Sequence, residues 1–387
     1  MAESQTYDFV IVGAGSAGSV LANRLSASGD YSVLLLEAGR PSHPWSRVPV
    51  GFAKLIDNPK ANWLYESEPE EATGGRPIPV PRGKLLGGSS SINGMVFVRG
   101  QAQDFDTWAQ LGNKGWGYRD VLPHFRAMEK YDGGDDEFRG RDGPLRVTDL
   151  KERGPIYDAL IAAAGDAGIE ESVDYNGPTQ DGIGMTQVTI NKGRRMSTAY
   201  CYLDPARSRS NLRIETGALT ERLLFDGTRC TGVRYTIGGM AREAKAGREV
   251  IVSAGAINSP QLLELSGIGQ PDLLAKNGIE VVQALPGVGE NLRDHYAPRM
   301  KWDVKTAGLT YNDKAKGLGL VWQALKYATT GTGLLGLPAS PIRAYVRSRD
   351  GLSSPDIGIS WIPFLVAEGF KLDKQSGMTV ITHPLRS

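Results

Sequence analysis

The sequence is poor in the features that mark secreted, membrane-spanning or nucleic-acid-binding proteins. Only Cys201 and Cys230 occur among 387 residues, too few for a disulfide framework, which favours a reducing compartment. No apolar run reaches the about eighteen residues of a membrane span, and we expect no signal peptide. With 44 basic and 43 acidic residues, we expect no broad attraction to nucleic acid or anionic lipid. These absences predict a cytoplasmic globular protein, and the length predicts two domains.

Glycine, in contrast, is abundant, with 49 residues concentrated in a few dense stretches. The first stretch lies at the amino end, where an apolar run leads through three glycines into a helical pattern. A second apolar run follows and ends at Glu37. The order of strand, glycine turn, helix, strand and acidic residue is the dinucleotide-binding fingerprint, with the glycines at Gly13, Gly15 and Gly18. A glycine-rich turn in an ordinary α/β unit is the alternative, which this full context disfavours.

Each residue of the fingerprint has a physical role. Gly13 permits a tight turn, Gly15 lets the backbone approach a pyrophosphate, and Gly18 lets the helix pack on the sheet. The helix amino end offers free N–H groups to phosphate oxygens. Glu37, nineteen residues after Gly18, can accept hydrogen bonds from ribose hydroxyls. The pattern predicts a nucleotide cofactor without identifying it.

Further dense stretches follow at 83–100 (GKLLGGSSSINGMVFVRG), 255–269 (GAINSPQLLELSGIG) and 286–295 (PGVGENLRDH). Residues 41–81 are a long excursion in which Trp63 and Tyr65 are aromatic candidates for ligand contact, with loop packing an equal alternative. Helices are expected within 103–131, with Trp108 and Leu111 on apolar faces, and over 154–168. A hairpin turn is expected at Asp226-Gly227, and a strand over 248–253.

Together these stretches resemble the glucose–methanol–choline (GMC) family of flavin oxidoreductases, most closely its bacterial choline-dehydrogenase-like branch. Two signature patterns of that family match 83–100 and 255–269 nearly residue for residue. The resemblance implies an α/β fold: a Rossmann-like FAD-binding domain formed by 5–155 and 190–300. It also implies a second α+β substrate domain formed by 156–189 and 301–387, which is incomplete.

The resemblance implies FAD as the cofactor. Covalent members carry a histidine where this chain has Ile92, so FAD is expected to bind non-covalently. No metal site is predicted. The cofactor-binding residues implied are Gly13, Gly15, Ser16, Ala17, Gly18, Glu37, Ala38, Trp63, Leu85, Gly88, Ser89, Asn93, Gly94, Met95, Val96, Leu219 and Ala254.

The activity implied is oxidation of a primary alcohol to an aldehyde. In the family, a histidine takes the hydroxyl proton while hydride passes to flavin N5. The expected partners are a small alcohol and oxygen or another electron acceptor. Relatives with other chemistry leave alternatives open: a non-redox lyase, a photodecarboxylase, or a catalytically incomplete FAD-binding subunit.

The chain departs from the family near its end. The family's catalytic histidine lies in an H-x-x-G-T segment, and its paired histidine or asparagine lies in an N-P-x-x-T helix. Neither motif occurs, so no catalytic residue is predicted. The four histidines lie outside that context, at His43, His124, His295 and His383. We expect the chain to stop inside its second domain. A missing second polypeptide is favoured over truncation or lost catalysis.

Overall fold

The computed structural model describes residues 5–367 and 372–386. Its helices are α1 Ser16–Leu25, α2 Phe52–Leu55, α3 Ala102–Gln110, α4 Tyr118–Met128, α5 Pro155–Asp166, α6 Asp204–Ala206, α7 Gly255–Leu265, α8 Pro271–Lys276, α9 Tyr311–Lys314 and α10 Leu318–Thr330. Its strands are β1 Gln5–Val12, β2 Val33–Glu37, β3 Tyr65–Glu66, β4 Pro79–Val80, β5 Glu129–Lys130, β6 Leu145–Arg146, β7 Thr148–Asp149, β8 Gly182–Met185, β9 Gln187–Val188, β10 Ile190–Asn191, β11 Arg194–Arg195, β12 Leu212–Thr216, β13 Ala218–Asp226, β14 Arg229–Ile237, β15 Met240–Val252, β16 Ile268–Gly269, β17 Gln283–Ala284, β18 Arg299–Asp303, β19 Ile342–Val346, β20 Ile357–Ile362 and β21 Gly377–Pro384.

The chain divides into two compact units. The first comprises Met1–Ser46, Leu55–Asn93 and Ser197–Arg293, and the second comprises Arg47–Lys54, Gly94–Met196 and Asp294–Ser387. These bounds differ from the domains expected from the sequence, because residues 94–155 pack with the second unit. Whether the units act as cofactor and substrate domains stays a prediction.

The first unit is built on a six-stranded sheet of order β12-β2-β1-β15-β14-β13. The four neighbouring strands β12, β2, β1 and β15 run parallel to one another. Strands β13, β14 and β15 form an antiparallel meander. Residues of β2 are all buried because both faces of the parallel part are covered. Leu34 and Leu36 pack on the face that includes Leu262 of α7, whereas Val33 and Leu35 pack on the face of α1. This confirms the predicted Rossmann-like α/β class.

The second unit contains a five-stranded antiparallel sheet of order β18-β21-β20-β19-β8. Helix α5 covers one face, where Ile156 and Tyr157 pack against Ile342 and Ala344. The α+β class expected for the second domain is therefore confirmed. No helix in the described part of the chain is long and apolar enough to cross a lipid bilayer.

Two local predictions were wrong in detail. The strand expected over 248–253 begins at Met240, because β15 pairs with β14 along its first half and with β1 along its second. Trp108 and Leu111 were expected on apolar faces, but their side chains are 47% and 77% exposed. Helix α3 buries none of its residues, so periodicity alone misassigned that face.

Candidate functional site

The turn between β1 and α1 is closely packed where the sequence has glycine. Gly13 has φ +95°, and a Cβ there would lie 2.6 Å from the Ser253 carbonyl oxygen. A Cβ on Gly18 would lie 1.9 Å from the Gly13 carbonyl oxygen. Ser253 donates its hydroxyl to the carbonyls of Val12 (3.0 Å) and Gly13 (2.9 Å). These contacts account for the tight turn and for the close helix packing.

Gly15 differs from its neighbours because its missing side chain faces open space. It precedes α1 with φ −73°, and a Cβ there would have no heavy atom within 4 Å. Ser16 and Ala17 are exposed, and no described side chain caps the helix. The first N–H groups of α1 thus belong to exposed residues and have no described side-chain acceptor, which leaves them for a ligand such as a pyrophosphate.

Glu37 lies beside this turn with its carboxylate buried. One carboxylate oxygen accepts the Ala14 N–H at 3.0 Å, and the other accepts the Gly39 N–H at 2.9 Å. Burial raises the pKa of Glu37 to about 7, although both N–H groups and Lys84 favour the charged form. Half-buried Ala38 follows it. Each oxygen keeps a second lone pair, so the arrangement is compatible with a ribose hydroxyl.

The second glycine stretch lies directly against the first. Gly87 donates its N–H to the Ala14 carbonyl at 2.8 Å, and a Cβ on Gly88 would lie 2.7 Å from Gly15 Cα. Ser89 accepts the Gly83 N–H on its hydroxyl at 3.1 Å. The structure thus brings Gly88 and Ser89 to the amino end of α1, although they are far from it in the sequence.

Leu85 and Asn93 flank this contact differently. Leu85 is buried with Leu55, Ala61 and Ile92. Asn93 is exposed, and its N–H is bonded to the Ser89 carbonyl at 2.8 Å. Asn93 can present its amide to a ligand, whereas the Leu85 side chain belongs to the core.

Gly94, Met95 and Val96 belong to the second unit. A Cβ on Gly94 would lie 2.2 Å from the Ala339 Cβ, and Val96 forms a bridge with Val188. Met95 has φ +59° and its side chain is buried.

Trp63 belongs to an aromatic platform in the first unit. Its ring stacks on Tyr65 with centroids 5.8 Å apart, and Lys84 Nζ lies 4.2 Å from the Trp63 centroid. Asn258 Nδ2 donates to the Tyr65 hydroxyl at 2.7 Å. Sequence reasoning identified the two rings but not Lys84 or Asn258. The only available signal was their position inside the glycine-rich stretches.

The last two predicted residues, Ala254 and Leu219, belong to different parts of the six-stranded sheet: one follows the inner strand β15, and the other lies on the edge strand β13. Ala254 precedes α7, and its Cα is 2.8 Å from the position of a Cβ on Gly13. Leu219 lies on β13 with its side chain 46% exposed. Gly217, two residues earlier, donates to the Gly39 carbonyl at 2.8 Å, so the start of β13 lies near Glu37.

The histidines are dispersed. His124 is exposed on α4, and His43 accepts the Trp45 N–H at 3.2 Å. His295 and His383 lie together in the second unit, with ring centroids 4.9 Å apart. Among residues 5–367 and 372–386, no group of three or more histidine, cysteine or acidic side chains could hold a metal ion.

Comparison with known sequences gives a consistent result. The model of a family described as GMC oxidoreductase matches residues 7–297. Oxygen-dependent choline dehydrogenase of Brucella anthropi is 42% identical over 387 aligned residues, covering 98% of this chain and 69% of that protein. The Rhizobium etli protein of the same name is 43% identical, covering 97% of this chain and 71% of its own length.

Solved structures agree with the sequences. Pyridoxine 4-oxidase from Mesorbium loti superposes with a TM-score of 0.86 at 30% identity, covering 97% of this chain and 71% of that one. A formate oxidase of Aspergillus oryzae, described in terms of its FAD modification, superposes with a TM-score of 0.89 at 25% identity, covering 99% and 73%. None of these similarities supports the second polypeptide expected from the sequence.

Proposed function

The chain belongs to the GMC oxidoreductase family, and from this membership we propose its reaction: FAD-dependent oxidation of a primary alcohol to an aldehyde. The observation that carries the proposal is the meeting of two distant glycine stretches at the amino end of α1. Gly87 and Gly88 contact Ala14 and Gly15, and no described side chain caps the first N–H groups of the helix. This arrangement fits a pyrophosphate.

The residues of the first unit fit the rest of FAD as well. The N–H groups of the exposed residues Ser16 and Ala17 would hold the pyrophosphate, and Glu37 would accept a hydrogen bond from a ribose hydroxyl. When bound, FAD supplies the hydride acceptor that no amino acid side chain provides. The other cofactor contacts expected from the sequence are proposed on the same basis.

We propose that FAD is held non-covalently. The position that carries a linking histidine in covalent members is Ile92, which is buried among Leu55, Ala61 and Leu85. A buried aliphatic side chain cannot form a bond to the flavin. After acid precipitation, all flavin absorbance should appear in the supernatant. Flavin that stays in the protein pellet would contradict this part of the proposal.

Choline is the first substrate to test, because relatives at 42% identity are named for it. Those relatives and the solved oxidases favour redox chemistry over the lyase and decarboxylase alternatives. Oxygen or another acceptor would then reoxidise the protein. The compartment we propose is the cytoplasm, which the low cysteine content of the chain favours.

Anaerobic spectroscopy tests the reaction directly. Choline, or another primary alcohol from a panel, should bleach the absorbance of the bound flavin. A tertiary alcohol is the matched control, because its carbinol carbon has no hydrogen to transfer as hydride. An unchanged spectrum with every primary alcohol would contradict alcohol oxidation. The residue that accepts the hydroxyl proton is not assigned, since the chain has neither family motif.

A further inference from the structure

One face of the sheet in the second unit carries an unusual group of polar side chains. On β19, Ile342 and Ala344 face α5, so Arg343 and Tyr345 lie on the opposite face. Ser360 on β20 pairs with Arg343, and Gly358 pairs with Tyr345. His383 on β21 pairs with the other side of Gly358. Three neighbouring strands therefore direct polar groups to one surface.

Gly358 creates the space that His383 occupies. A Cβ at Gly358 would lie 2.6 Å from His383 Cε1 and 2.7 Å from its Nε2, so the imidazole lies over the glycine. His295 meets the same ring with centroids 4.9 Å apart. We call Arg343, His295 and His383 the Arg–His cluster. Arg343 and His383 are half-buried and His295 is exposed, so the cluster is reachable from solvent.

The Arg343 guanidinium has no counter-charge within the described structure. It forms no ion pair with a described carboxylate, although other arginines of this unit do, such as Arg347 with Asp181. Burial, with the charges of Arg343 and His295, lowers the pKa of His383 to about 4, so its imidazole is neutral near pH 7. The Arg343 guanidinium therefore carries a positive charge that no described anion balances.

Arg343 also has a buried donor without an acceptor. Its Nε is buried without a hydrogen-bond partner among the described residues. The Arg343 guanidinium lies 5.5 Å from the Tyr345 ring centroid, so the two side chains are neighbours. Burial raises the pKa of Tyr345, although the charge of Arg343 and a hydrogen bond with its side chain oppose the shift, so the Tyr345 hydroxyl keeps its proton and can donate it. Buried donors that lack an acceptor usually indicate a ligand or an ion.

We propose that the Arg–His cluster and Tyr345 bind the carboxylate group of a small organic acid. A carboxylate offers two acceptor oxygens in one plane, which suits the Arg343 guanidinium together with the Tyr345 hydroxyl. An N–H of the His383 imidazole can add a third donor. The site lies within the second unit, and the inference does not depend on the proposed reaction.

Histidine NMR of the purified protein tests the site without any activity measurement. The chain has four histidines, so their imidazole signals can be assigned from single variants. Acetate should shift the signals of His295 and His383 and leave those of His43 and His124 unchanged. If acetate shifts none of the four signals, or shifts all four equally, the proposal is wrong.

Variants at two nearby arginines distinguish binding of acetate at a specific site from a general effect of charge. Arg343→Gln should raise the dissociation constant of acetate by about tenfold or more, because a charge-assisted hydrogen bond is lost. Arg343→Lys should bind acetate with intermediate affinity. Arg347→Gln removes the same charge outside the cluster and should bind acetate as the wild type does. If both proteins are folded and Arg343→Gln binds acetate with the same affinity as the wild type, the proposal is overturned.

A second experiment compares glycolate with acetate to show whether the bound carboxylate is part of the substrate or belongs to a separate acid. Glycolate carries a primary alcohol and a carboxylate, whereas acetate carries only the carboxylate. If the carboxylate belongs to the substrate, glycolate bleaches the flavin and acetate competes with it. If it belongs to a separate acid, acetate shifts both histidine signals and leaves the KM for the alcohol unchanged. Both results support the carboxylate site, and absence of the histidine shifts rejects it.

Discussion

At the scale of single residues, two backbone N–H groups hold the carboxylate of Glu37 inside the protein. Its pKa rises from 4.5 to about 7 because burial penalises the charge more than Ala14, Gly39 and Lys84 favour it. A pKa raised in the folded state means that folding favours the protonated form. Stability from this group is present below pH 4.5 and is lost as the pH rises through 7.

Glu37→Gln should remove this pH dependence. The shift corresponds to about 3 kcal/mol in the free energy of unfolding. An amide leaves one backbone N–H without an acceptor, a cost of about 1–3 kcal/mol at every pH. Urea denaturation of the FAD-free proteins should therefore show wild type losing stability relative to the variant from acid to neutral pH. Parallel stability curves would contradict the buried carboxylate.

The same substitution by alanine at Gly18 and at Gly15 should have very different effects on stability. Gly18→Ala places a Cβ 1.9 Å from the Gly13 carbonyl oxygen, so α1 must shift. It should cost about 2 kcal/mol or more of unfolding free energy, even after the gain in helix propensity. Gly15→Ala meets no neighbour and should change stability by about 0.5 kcal/mol at most. Thermal denaturation of both variants measures this contrast; equal losses would contradict the packing described.

At the scale of elements, a buried ionic network ties β5 to the segments around it. Glu129 accepts hydrogen bonds from Arg139 Nε at 2.8 Å and from the Gly140 N–H at 2.8 Å, and it forms an ion pair with Arg99, whose Nη2 lies 2.7 Å away. All three charged side chains are almost fully buried. The network is costly to break because the remaining charges cannot reach water.

Glu129→Ala should therefore lower the unfolding free energy by about 3–5 kcal/mol, since buried Arg99 loses its carboxylate and buried Arg139 keeps only that of Asp174. Asp136→Ala is the control, because it breaks the Arg141–Asp136 ion pair at the surface. That change should cost less than about 1 kcal/mol. Chemical denaturation compares the two, and similar small losses would show that the network contributes little.

Elements with strong local signals were predictable from the sequence. The helix expected over 154–168 is Pro155–Asp166, and the Asp226-Gly227 turn joins β13 to β14 with Gly227 at φ +58°. Both depend on neighbours in sequence, such as a proline at a helix start and a glycine with positive φ. The fingerprint glycines were predictable for the same reason.

Contacts between distant segments were not predictable. Lys84 lies over Trp63, and Glu129 joins Arg99, thirty positions away in the sequence. Neither contact produces a repeating pattern in the sequence, because each involves only two residues that are far apart along the chain. The resemblance to a family supplied the cofactor and the expected residues around it, but not these partners.

At the scale of the whole molecule, FAD should protect only part of the chain. Hydrogen exchange should slow on FAD binding in peptides that cover 13–18, 37–38 and 85–96, where the cofactor residues are proposed. Peptides of β18 and α10 in the second unit should exchange as before. Uniform protection over all peptides, or protection that spares 13–18, would contradict the proposed cofactor position.

The central claim is that the glycine turn before α1 holds FAD, and a titration tests it most directly. FAD is added to the FAD-free wild-type and Gly15→Ala proteins, and quenching of flavin fluorescence is followed. We predict one FAD per chain in the wild type and at least about tenfold weaker binding in the variant, at unchanged stability. A folded wild type that binds no FAD, or equal affinity in both proteins, would contradict the claim.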